Sequence, residues 1–200
     1  MKILALDLST RRGSIALCAK EKILFQNDWD NDRRSAAPFF LALEAAVDLH
    51  GPPNLAVVGL GPGSYTGTRI AVAAAIGLTR ATAAVLAGLP SIAAMAEETE
   101  YVVVGDAKRA SFFVATVTGE QREVQIELVP ADEFPSRLAG IQVPIYTSDD
   151  LAAFSQVGRR FPSALQLADL AQRFPDKLYR APLSPIYLRA PHITVPRGQK

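Results

Sequence analysis

Cysteine is almost missing from this chain. Cys18 stands alone, so no disulfide can form within the chain, and its place in the apolar run Ser14 to Cys18 reads as a buried structural thiol. Histidine is nearly as scarce. His50 ends a predicted helix, His192 lies in a proline-rich tail, and neither has a second ligand at metal spacing, which argues against a zinc-type centre. The same shortage leaves Ser64 without a base for serine hydrolysis, and its setting Gly-Pro-Gly-Ser-Tyr is not a nucleophile elbow. An excess of one charge is absent too: 21 Lys and Arg face 20 Asp and Glu, a net charge of +1. The densest basic clusters, Lys108-Arg109 and Arg159-Arg160, are too short for a phosphate-binding groove, so most contacts to any RNA would come from another chain. No apolar run is suited to a membrane. The longest, Ile70 to Leu89, is broken by Thr79, Arg80 and Thr82. Asp7 interrupts the first apolar run too early for a secretory signal, so the expected compartment is the cytoplasm.

What is present is an ordinary globular composition, 49% hydrophobic and 20% charged over 200 residues, enough for one large domain or two small ones. Three strands open the chain: Ile3 to Leu8, Gly13 to Ala19 and Ile23 to Trp29. A helix follows, with Ser35 as its candidate cap, running to Leu49 before Gly51-Pro52-Pro53. Leu55 to Leu60 is a buried strand, Gly61 to Gly67 a loop, and a second helix starts near Thr66 or Gly67 and runs to Ala83. A short strand, Val85 to Ala87, and a short helix, Ser91 to Glu98, precede the polar boundary Glu97-Glu98-Thr99-Glu100. The pattern then restarts with strands Tyr101 to Val104, Ser111 to Val117 and Val124 to Val129. A helix over 131–138, a strand over 142–146 and a helix over 163–174 come next, and the tail carries Pro182, Pro185, Pro191 and Pro196. The expected division is 1–98 and 99–200. This order predicts an α/β fold of mixed sheets with flanking helices, similar to half of an actin/Hsp70/sugar-kinase (ASKHA) domain with its second half reduced.

The loop Gly61-Pro62-Gly63-Ser64-Tyr65-Thr66-Gly67 follows a strand and opens a helix. Its backbone amides suit an anion. It suits equally a tight turn with Thr66 as N-cap and glycines at positive φ. Its spacing is neither a dinucleotide fingerprint nor a Walker A loop. As a string, residues 61 to 70 resemble the GPGSFTGLRIG signature of the TsaB (YeaZ-type) family, partners in forming threonylcarbamoyladenosine (t6A) in tRNA. Met1 to Thr10 resembles that family's opening strand and turn, Gly105 to Arg109 its D-A-R segment, and Pro185 to Arg189 its terminal P-x-Y-L-R. Three positions depart from the pattern: Arg34-Ser35 replaces His-Ser, Tyr65 replaces Phe, and Ala71 replaces Gly.

The resemblance implies a non-catalytic subunit that docks to and activates a TsaD-type threonylcarbamoyltransferase. A TsaE-type ATPase is the further implied partner, tRNA is met through the complex, and self-pairing is expected when the partner is absent. No metal and no cofactor are expected in the isolated chain, with room for ATP or ADP at a joint interface. Two helices support docking, because 36–49 and 68–80 are apolar around most of their circumference. The interface expected from them comprises Phe39, Leu43, Ala46, Arg69, Ile70, Ala74 and Leu78. Small residues four apart, Ala71/Ala75 and Ala73/Gly77, would let a partner helix approach closely. Asp7 and Ser9 read either as a vestigial nucleotide site or as strand-end turn residues. The alternative function is a small ASKHA ATPase or phosphotransferase. A peptidase using Ser64 is a third reading that lacks a base.

Overall fold

The computed structural model describes residues 1–31 and 35–189. Arg34, His192 and the tail from Ala190 onward lie outside the described residues.

β1 (Lys2–Asp7) is apolar on both faces because both faces are covered. Its side chains alternate: Ile3 and Ala5 join one core, Leu4 and Leu6 the other. β2 (Arg12–Ala19) pairs antiparallel to β1, and β3 (Lys22–Asp30) antiparallel to β2. β4 (Leu55–Gly59) and β5 (Val85–Leu89) extend the sheet on the other side of β1 in parallel. Parallel pairing requires crossovers. These are supplied by α1 (Ala37–His50) between β3 and β4, and α2 (Tyr65–Thr82) between β4 and β5. Both helices pack on the Leu4/Leu6/Val58 face.

A second sheet has the order β10-β9-β6-β7-β8. It is built from β6 (Tyr101–Asp106), β7 (Ser111–Thr118), β8 (Glu123–Pro130), β9 (Ile145–Thr147) and β10 (Val157–Arg159). One face carries the short α3 (Phe134–Ala139), whose Phe134 stacks on Phe112 with ring centroids 4.0 Å apart. The other face packs Tyr101, Phe113 and Val117 against Ile92 and Met95 of the connection from the first sheet. The chain then returns to the first sheet. α4 (Ala164–Arg173) lies on its Ile3/Ala5/Val57 face, with Ala164 N–H donating to Ser14 Oγ at 2.9 Å, and β11 (Tyr179–Arg180) adds an edge beside β5. The segment after residue 98 therefore contributes to both sheets.

Several expected boundaries move. The short helix over 91–98 is a single 3-10 turn, Ser91–Ala94. It does not run on: the Ala94 carbonyl accepts from Ser163 N–H at 2.9 Å, and the carbonyls of Glu97 and Glu98 accept from the Arg122 guanidinium. The strand over 142–146 shrinks to β9 because Pro144 has no N–H to pair. β10 and β11 have no counterpart in the sequence reading. No helix among the described residues is long and apolar enough to cross a membrane.

Candidate functional site

The glycine loop is pressed onto the turn after β1. Ser64 N–H donates to the Ser9 carbonyl at 2.6 Å. A Cβ at Gly63 or Gly67 would overlap the carbonyls of Ser9 and Leu8, so both positions need glycine for close approach, and Gly61 sits at φ 87°. The helix begins earlier than expected. Ser64, not Thr66, is the N-cap, with Ser64 Oγ accepting from Gly67 N–H at 3.2 Å. The other flank is held by Ser91: its Oγ accepts from Gly61 N–H at 2.8 Å and its N–H donates to the Gly61 carbonyl at 2.8 Å. Pro62 is buried, whereas Tyr65 and Thr66 are exposed.

Asp7 lies under this loop, fully buried. Its Oδ1 accepts from Ser9 N–H at 2.8 Å and from Ser9 Oγ–H at 2.7 Å. Its Oδ2 has no hydrogen-bond partner among the described residues. Burial pushes the carboxyl above its ordinary range, and the nearby hydroxyls of Ser91 and Ser9 offset only part of that. Asp7 is thus a buried strand-end group and is not among the residues that line the neighbouring cleft, whereas Ser9 is.

That cleft, of about 940 Å³, opens between the two sheets. The first sheet contributes Ser9, Thr10, Arg11 and the loop from Pro62 to Thr66; the second contributes Asp106, Lys108, Ser111, Asp149 and Asp150. The turn between β6 and β7 is unusual: Lys108, Arg109 and Ala110 hold φ values of 63°, 54° and 52°. Asp106 braces it, accepting from Lys108 N–H at 2.7 Å and Lys108 Nζ at 2.5 Å. The Lys108 contact holds the Asp106 carboxyl below its ordinary range. Such a cleft, with a helix start on one wall, can take a polar ligand of nucleotide size. Among the described residues no group of three or more His, Cys, Asp or Glu converges at metal spacing.

The two helices divide the expected interface residues. Phe39, 1% exposed, and Ala46, 0% exposed, lie beneath α1 in the core and present nothing to a partner. Leu43, Ile70, Ala74 and Leu78 are half-buried. Arg69 is exposed, with Nη1 donating to the Tyr65 hydroxyl at 2.6 Å. Ala71 and Ala75 face the sheet, whereas Ala73 and Gly77 face outward, and a Cβ at Gly77 would meet nothing within 4 Å. The sequence reading missed Phe40, Leu41, Leu49 and Ile76, which are 49%, 64%, 70% and 41% exposed. Spacing alone could not find them, because α1 is apolar around most of its circumference; its packing turns Phe39, Ala42 and Ala46 inward and leaves Phe40 and Leu41 on the outer side. A crevice of about 50 Å³ between the starts of α1 and α2 is lined by Leu8, Trp29, Phe39 and Ile70.

Comparison with known proteins bears on the fold. A Pseudomonas aeruginosa protein described as similar to the peptidase YeaZ superposes with a TM-score of 0.73 at 21% identity, over 94% of this chain and 99% of that one. YeaZ from Pseudomonas aeruginosa superposes with a TM-score of 0.72 at 20% identity, with the same coverage. No protein-family model and no curated protein matches the chain. At these identities the likeness is one of architecture: the chain has the mixed, two-sheet α/β architecture of those two proteins, an ASKHA-type fold.

Proposed function

We propose that this chain is a TsaB-type accessory subunit in the formation of t6A in tRNA, docking to a TsaD-type threonylcarbamoyltransferase through the outer face of α1 and α2. One observation carries the reading: Phe40, Leu41, Leu49 and Ile76 stand exposed on two helices of the same sheet face. Large apolar side chains grouped on one face of a globular protein mark a docking surface. Gly77 beside Ile76 leaves open space for a close helix. The YeaZ-like fold over nearly the whole chain and the Gly61 to Ile70 string support the family assignment. In this reading the subunit does no chemistry itself. TsaD transfers the threonylcarbamoyl group, a TsaE-type ATPase joins the assembly, and ATP or ADP sits at a joint interface. Ser64 supports a non-peptidase role: its Oγ is used as a helix cap, and His50 ends α1, about 20 Å along the helix from the end that lies near Ser64.

The test is light scattering on a sizing column, with the chain alone and mixed with the TsaD-type protein of the same organism. A heterodimer peak that disappears on Leu41→Arg or Ala73→Arg supports the reading. Separate peaks at micromolar concentration, with and without nucleotide and tRNA, overturn it.

The cleft favours one alternative, an ASKHA-type ATPase or phosphotransferase acting alone. That alternative requires nucleotide binding and hydrolysis by the isolated chain, measured by calorimetry and phosphate release.

A further inference from the structure

The segment from Leu183 to Arg189 touches both sheets in succession. Leu183 and Ile186 pack on the core beneath α1 and α2, and Ile186 N–H donates to the Leu60 carbonyl at 2.8 Å, at the root of the glycine loop. The Tyr187 ring then packs on Tyr65, the first residue of α2, with centroids 5.4 Å apart. Leu188 packs on the core of the second sheet and lines the cleft. Arg189 Nη2 donates to Ser111 Oγ at 2.8 Å, at the start of β7. Pro182 and Pro185 restrict the chain that enters the segment.

The far anchor is the turn with three successive left-handed residues, Lys108, Arg109 and Ala110. Side chains on such residues crowd the following carbonyl, so a run of three persists only where its surroundings hold it. Asp106 holds the turn from within, and Asp149 Oδ2 accepts from Asp106 N–H at 2.8 Å. Ala131 N–H donates to the Ala110 carbonyl at 3.0 Å. Arg189 adds a hold from a segment rooted on the first sheet, through Ser111, whose backbone carbonyl accepts from Ala107 N–H at 3.0 Å.

We propose that Leu183–Arg189 is a clasp that couples the first turn of α2 to the left-handed turn 108–110 and thereby sets the opening of the cleft between the sheets. Closing Tyr187 onto Tyr65 and Arg189 onto Ser111 keeps the two walls in register. Releasing them lets the left-handed turn relax and swing Lys108 and Ser111 away from Ser9 and Thr10. The clasp stands whether or not the helices α1 and α2 dock a partner.

Hydrogen exchange followed by mass spectrometry on the full chain tests this. Arg189→Ala and Tyr187→Ala are each expected to speed exchange about tenfold both in 107–111 and in 61–66, the scale of losing one charge-assisted hydrogen bond in the first variant and one aromatic pair in the second. β1 and β4 should keep wild-type protection. Ser111→Ala removes the acceptor from the opposite side and should reproduce the effect, which keeps the test valid if an Arg189 variant folds poorly. Ala110→Gly, which relieves the left-handed crowding, should return 107–111 in Arg189→Ala toward wild-type exchange. Faster exchange confined to 183–189, with 107–111 and 61–66 unchanged, overturns the proposal.

Discussion

Asp7 on β1 and Ser91 on the 3-10 turn meet over Gly59, where any Cβ would overlap the Asp7 carboxyl. The same Ser91 hydroxyl anchors Gly61 N–H. The glycine loop is therefore seated on a buried acid rather than on a charged pair, and that seat has measurable consequences.

Burial raises the Asp7 carboxyl above its ordinary value of 3.8. Between 3.8 and the folded value, the folded protein keeps a proton that the unfolded chain has released. The contribution of Asp7 to stability is thus full below that window and is lost as pH rises through it. No charged group is among the causes of the shift, so an uncharged replacement should remove it cleanly. Urea unfolding of Asp7→Asn at pH values from about 4 to about 8 should show a smaller decline than wild type. Asp7→Ala should lose about 1–3 kcal/mol, because it leaves the buried Ser9 donors unpaired.

Ser64→Ala removes the cap of α2. The loss should be about 1 kcal/mol by thermal or denaturant unfolding. Thr66→Ala, at the cap position read from the sequence, should change stability by less than about 0.5 kcal/mol.

Gly77→Ala separates folding from docking. A Cβ there meets open space in the isolated chain, and glycine within a helix is destabilising. The variant should therefore be more stable by about 0.5–1 kcal/mol on unfolding. If a partner helix packs on this face, the same variant should weaken the TsaD-type complex in a titration.

Leu41→Arg and Phe39→Ala read opposite sides of α1. Leu41 is 64% exposed and Phe39 is 1% exposed. Leu41→Arg should leave stability within about 0.5 kcal/mol and abolish the heterodimer peak. Phe39→Ala should cost about 3–5 kcal/mol, seen as a lowered unfolding midpoint before any binding is tested.

Much of the fold was legible from period and punctuation. The alternation in β1, the prolines after α1 and the glycine loop before α2 are local features, and local features are written in neighbouring residues. The short strands β10 and β11 were not legible. Val157–Arg159 and Tyr179–Arg180 have no periodic pattern of their own and become strands only because β9 and β5 offer free edges. The outer faces of α1 and α2 were half legible. The helices announced themselves as too apolar for simple surface elements, but the choice between Phe39 and Phe40 as the outward ring depends on the rotation of α1 over the sheet.

The sequence by itself determined the α/β class and the placing of the glycine loop between a strand and a helix, because these follow from residue type and spacing. Only the tertiary structure decided that Asp7 is a sealed acid rather than a cleft residue, that Ser64 rather than Thr66 starts α2, and that the segment before Arg189 spans both sheets. Each of these depends on which distant groups are brought within hydrogen-bond or van der Waals distance, and that information belongs to the packing of the elements, not to any one of them.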